Sequence, residues 1–267
     1  MFDNNVKTEA IPERVFELCS VVAESPKTDV SLMEMFEPEC LSTPSTTSYY
    51  STVREAAIEL GLIAKNGNEV SFVGDKKAIK SLDAFRYYCN SVVWKDDSVI
   101  FYKLAQTILN SNDEYWGDNL TSPMIISSIR KKISHMIVNE TMLRGERFWL
   151  QFLGFGYVQE KPKIIFLPNM YIALKDFMRM CEFEVGKEYS VKDFVQSVSK
   201  KSSVAFDGAI EHKQFNMAVS NALRQLENNG EIELLRHLDS KEVWNLYKLE
   251  TKNITEITHI KYRGLAK

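Results

Sequence analysis

The sequence predicts a mainly α fold with small β-hairpins, an α+β chain, and three observations carry that expectation. Apolar residues recur at helical spacing along most of its length. Near both ends an amphipathic stretch of helical period runs through a glycine into a short alternating segment. The size of 267 residues, with 45% hydrophobic and 26% charged side chains and only 11 Gly and 7 Pro, suits two or three compact modules and excludes a disordered or collagen-like chain.

The first module spans residues 1–73. In IPERVFELCSVVAE, Pro12 fits a first helical turn, and Val15, Leu18, Cys19 and Val22 form one apolar stripe. Asp29 is placed to cap a second helix carrying Leu32, Met35 and Phe36. A third helix follows, with Tyr49, Val53, Ala56 and Leu60 at i, i+4, i+7 and i+11 and Gly61 as its stop. LIAKNGNEVSFV then reads as two strands about Asn66-Gly67-Asn68. Three helices closed by a hairpin make a winged helix.

Residues 74–97 read as a helical linker. Beyond them, 98–110, 122–138 and 140–153 are expected helices, and FGYVQEKPKIIFLP a hairpin turning at Glu160-Lys161-Pro162. Residues 98–168 thus resemble a further winged helix, although Glu146 occupies a place where the stripe calls for a hydrophobe. Residues 169–250 repeat the first logic. A short helix opens at 189–194, EHKQFNMAVSNALRQLENNG reads as one long helix, and EIELLRHLDSKEVWNLYKLE as two strands about Asp239-Ser240-Lys241. Phe215, Val219, Ala222 and Leu226 keep the offsets of the first stripe 166 positions later, which marks an internal repeat. Residues 251–267 read as a tail.

Enzymatic motifs are missing: no G-x-x-x-x-G-K-[ST], H-E-x-x-H or G-x-S-x-G occurs. Gly154-Phe155-Gly156 lies between helix and strand, the reverse of a dinucleotide loop, and reads as a helix stop. Cys19, Cys40, Cys89 and Cys181 form no C-x-x-C, and His135, His212, His237 and His259 are far apart in sequence, so no metal or cofactor is expected. Asp207 with Glu211-His212-Lys213 resembles the E-x-K core of restriction endonucleases, but in a loop leading into a helix these acids read as dipole charges. Without a signal peptide or a long apolar run, a cytoplasmic location and no membrane contact are expected.

Binding is left. Net charge −3 excludes a uniformly basic coat, so nucleic-acid contact must be local. Residues 1–80 hold 8 Lys/Arg against 13 Asp/Glu, although Thr47, Ser48, Ser51 and Arg54 can bond phosphates. Residues 81–180 hold 12 against 10 and contain the run Arg130-Lys131-Lys132. In the last module Lys213, Gln214, Asn216, Ser220, Asn221 and Arg224 fall outside the apolar stripe, and Asn, Gln and Arg are the side chains that read base edges. Arg236, His237 and Lys241 would act from its wing.

These patterns resemble tandem winged-helix proteins, on the strength of TTSYYSTVREAAIELGLIAKNGNEVSF and KQFNMAVSNALRQLENNGEIELLRHLDSKEVWNLYKL. The opening AIPERVFELC with its helix and Leu60-Gly61-Leu62 also resembles DpdG-like proteins of bacterial clusters that install and police deazapurine bases in DNA. That resemblance implies an accessory subunit in anti-phage defence, with catalysis supplied by partners. The expectation is a non-catalytic double-stranded DNA-binding protein, working with other protein subunits and free to form a homo-oligomer. A winged-helix protein-interaction scaffold is the alternative, and a divergent metal-dependent nuclease the third.

Overall fold

The structure, a computed structural model, describes residues 2, 6–38, 40, 49–115, 120–134, 136–159, 165–248 and 255–266; Thr47, Ser48, His135 and the expected turn at 160–162 lie outside them. The chain is α+β, with eleven helices and four small antiparallel sheets among the described residues. Its buried hydrophobic side chains, from Phe2 to Ile260, form one contiguous cluster.

Helix α1 (Pro12–Glu24) buries the expected stripe of Val15, Leu18, Cys19 and Val22. A short strand β1 (Lys27–Thr28) leads into α2 (Asp29–Phe36). Thr28, not Asp29, is the N-cap, its hydroxyl accepting from Ser31 N–H, and of the expected inner residues Leu32 is buried while Met35 is exposed. Helix α3 (Tyr49–Glu59) stops at Gly61, whose φ of 70° a Cβ would disfavour, and strands β2 (Ile63–Asn66) and β3 (Glu69–Phe72) follow as the hairpin, with Asn66 paired to Glu69. In the sheet, β3 lies between β1 and β2.

The segment read as a linker is interior. After a 3-10 turn at Lys76–Ile79, α4 (Leu82–Val92) buries Phe85, Cys89 and Asn90, and Trp94 beyond it is buried as well. Then come α5 (Ile100–Asn110), α6 (Ser122–Lys132), α7 (Glu140–Phe152), β4 (Gly156–Gln159) and β5 (Ile165–Pro168). Helix α6 stops six residues short of the expected 138, where the Arg130 guanidinium donates to Val138 O and folds the chain back. Gly154, at φ 84°, ends the turn after α7, and a Cβ there would meet Ile172 at 2.6 Å, so the glycine also admits the next helix.

That helix is α8 (Tyr171–Arg179). It precedes β6 (Glu188–Ser190), α9 (Val191–Ser199), α10 (Ala209–His212), α11 (Met217–Asn228) and β7 (Ile232–Leu235). The long helix expected from Glu211 is broken: Lys213 takes a left-handed φ of 50°, and Asn216 caps α11 by accepting from Val219 N–H. The second strand of the expected hairpin also goes elsewhere. β8 (Trp244–Asn245) exchanges backbone bonds with Lys213 and Phe215, Trp244 stacks on Phe215 at 5.3 Å, and β8 pairs with β9 (Glu256–Ile257). The place beside β7 is taken by β10 (His259–Tyr262) from the expected tail, so that β10 lies between β6 and β7.

A buried polar joint ties these parts together. Asp176 of α8, fully buried, accepts from Arg86 Nε (3.0 Å), Asn90 Nδ2 (3.0 Å) and Arg179 Nη1 (3.3 Å). Asn90 also donates to Leu153 O and accepts from Trp94 Nε1. Glu146, sitting in the stripe of α7, is fully buried with both carboxyl oxygens lacking a hydrogen-bond partner, and burial pushes its pKa well above the ordinary range.

Candidate functional site

The residues expected to read DNA from the last module are drawn inward. Ser220 is fully buried, and its hydroxyl accepts from Tyr247 N–H at 2.7 Å. Arg224, also buried, donates to Tyr247 O at 2.8 Å, and burial lowers its pKa against the weaker opposing pull of Glu227. Asn221 Nδ2 donates to Pro168 O of β5, and Asn216 Nδ2 to Asn110 Oδ1 and Ala205 O. The N-terminus of α11 is itself closed: Asn112, held at φ 52° after α5, accepts from Met217 N–H at 2.7 Å. Helices α5 and α8 and strand β5 pack against α11. Gln214 is exposed, and Lys213 pairs with Glu242 at 3.6 Å. Of the E-x-K-like residues, Glu211 and His212 lie in the four-residue helix α10 and Asp207 and Lys213 on its flanks; none is itself a strand residue, although Lys213 O accepts from Asn245 N–H of β8.

The cationic run is at the surface on the last turn of α6. Arg130 is committed to Val138 O, and Lys132 donates to Glu114 at 2.5 Å while lying over the Tyr115 ring at 5.5 Å. Lys131 is exposed. In the first unit Arg54 and Lys65 converge on Asp29, which also accepts from the buried Tyr50 hydroxyl at 2.6 Å. Burial raises the Asp29 pKa, but the bonds from Lys65, Tyr50 and Arg54 outweigh it and hold it down at about 2. Tyr50 thus anchors this network; Ser51 beside it is half-buried. Phe36, Tyr49, Tyr50 and Val53, with Arg14 and Glu37, line a cleft of about 230 Å³.

On the last sheet the structure brings together residues that sequence distance kept apart. Glu188 of β6, His237 just past β7 and His259 of β10 place a carboxylate oxygen and two ring nitrogens within 4.8 Å of one another. His237 Nε2 bonds Glu188 Oε1, and the two imidazoles meet edge to face at 4.6 Å. Of the three, sequence reading singled out His237 alone, for its place in the wing. The alternation in His259-Ile260-Lys261, outward residues flanking a buried one, was the signal for β10. Arg236 donates to His237 O and pairs with Glu256, and Lys241 is exposed.

Fold and site together define an α+β protein with surface polar clusters and a largely occupied interior. No helix among the described residues is long and apolar enough to cross a membrane. A family model described as DpdG-like matches residues 4–240, and the chain belongs to that family. Neither a curated protein nor a solved structure matches it.

Proposed function

We propose that this chain is a non-catalytic accessory subunit of a multi-protein system concerned with deazapurine-modified DNA, built of winged-helix units that dock protein instead of reading a DNA groove. Membership of the DpdG-like family suggests the system and its protein partners. Support for winged helices comes from element order: helix, strand, helix, helix and two strands, with the last strand in the middle, describes α1 to β3 and, once α10 and the separate β8–β9 pair are set aside as insertions, α8 to β10. The central α5, α6, α7 and the β4–β5 hairpin add three helices and a wing.

One observation carries the choice of protein over DNA. Helix α11, the groove-reading helix of such a unit, has Asn216, Ser220, Asn221 and Arg224 spent on internal bonds and its N-terminus closed by Asn112. The first unit, meanwhile, carries a net charge of −5 over residues 1–80, opposing approach to a polyanion, and exposes the apolar side chains of Val30, Met33, Met35 and Ile58. DNA contact is the second reading, favoured by the exposed Lys131, Lys241 and Gln214.

The test is to mix the purified chain with the other subunits of such a system and measure complex mass by light scattering, alongside anisotropy titration of a labelled duplex at stepped salt. The expected result is a stoichiometric complex, lost in the Val30→Glu, Ile58→Glu double variant, and no duplex binding at low salt. Micromolar duplex binding with a steep salt slope, abolished by Ala at Arg130, Lys131 and Lys132, would transfer the function to DNA.

A further inference from the structure

We infer that Glu188, His237 and His259 form a binding site for a zinc-class divalent metal ion on the solvent face of the last sheet. The strand period sets the face. Ile260 of β10 is buried on the core side, which turns His259 and Lys261 outward, and the register sets Ser190 and Glu188 opposite them on β6. His237, two residues past the Leu235 that pairs with His259, closes the third side.

Two imidazoles and a carboxylate are a ligand set for zinc and its neighbours, whereas magnesium and calcium take all-oxygen cages. Ligand atoms about 2.0–2.2 Å from zinc stand about 3.3 Å apart in a tetrahedron. The three groups, already within 4.8 Å, need only side-chain torsions to reach that spacing. The side chains of Glu188 and His237 are 36% and 42% exposed, which leaves a fourth position open to water.

The second observation is what lies behind the ligands. Thr258, 2% exposed, donates its hydroxyl to Leu235 O at 3.2 Å and accepts from His237 N–H at 2.9 Å. Its oxygen is 3.0 Å from His259 Nδ1. With the hydroxyl proton directed at Leu235 O, the bond to His259 must be donated by Nδ1–H, which fixes the tautomer with a bare Nε2, the form that ligates metal. One buried hydroxyl therefore orients the backbone of one ligand and the ring of the other. Lys261 lies across from Glu188, and its flexible stem lets the ammonium move to solvent as a cation binds. The family match ends at residue 240 and does not reach His259.

The experiment uses the full-length chain without a histidine tag, stripped with chelator and titrated with Zn²⁺ in a calorimeter, then with Co²⁺ by visible absorption. One equivalent of zinc should bind, with cobalt giving ligand-field bands of a low-coordinate nitrogen/oxygen site. His237→Ala and His259→Ala should each weaken binding at least about 100-fold, and Thr258→Val, which keeps all three ligands, about 10- to 100-fold. Far-UV circular dichroism checks the fold, and Glu188→Gln, at the exposed edge, serves if a histidine variant does not fold. Zinc binding that survives in the His237→Ala, His259→Ala double variant would assign the metal to other donors such as the exposed Cys40 and overturn the site, as would no binding at all.

Discussion

Helix α3 of the first unit leaves Glu55, Ile58 and Glu59 at the surface, whereas α11, in the same place of the last unit, buries eight of its twelve residues. At the 166-residue offset, Ile58 corresponds to Arg224 and Glu55 to Asn221. An apolar position in one helix is thus exposed, while the cationic position matching it in the other is buried. A helix's own periodicity marks one inner face, but its neighbours decide whether it has a second. For α11 the second face is supplied by α5, β5 and the loop through Tyr247, which meet its polar groups with carbonyls and amides.

The most severe way to break this comparison is at the joint between α4 and α8. Asp176→Ala leaves Arg86 and Asn90 facing a lost acceptor in the interior, and urea unfolding should show a loss of about 3–5 kcal/mol. A loss below about 1 kcal/mol would mean that the joint does not hold the units together. The paired positions give a finer test. Arg224→Ala should cost about 1.5–3 kcal/mol, the range for hydrogen bonds made by charged groups, and Ile58→Ala less than about 0.5 kcal/mol, as for an ordinary surface site. Equal costs would erase the contrast between the two helices.

Much of the local structure was legible because local chemistry dictates it. Pro12 and the stripe from Val15 to Val22 specify α1, Gly61 and Gly154 stop helices at left-handed φ, and Asn66-Gly67 turns the first hairpin. What escaped depends on distant partners. The two-residue strand β8 is captured by Phe215, and β10 reaches β7 across a long connection, so neither pairing has a short-range signal. The inward turn of Ser220 and Arg224 needs Tyr247, which no spacing predicts. The histidine pair was dismissed on sequence distance, a distance that the antiparallel pairing of β7 with β10 removes.

Native-state amide hydrogen exchange, read residue by residue on the intact chain, tests the sealing of α11 most directly. Amides from Ser220 to Leu226 should exchange only through global unfolding, with the full unfolding free energy as protection, while those of α3 around Glu55 to Glu59 open at lower cost. Faster exchange in α11 than in α3 would show that the last unit opens its helix to solvent, and would return that helix to the candidates for reading DNA.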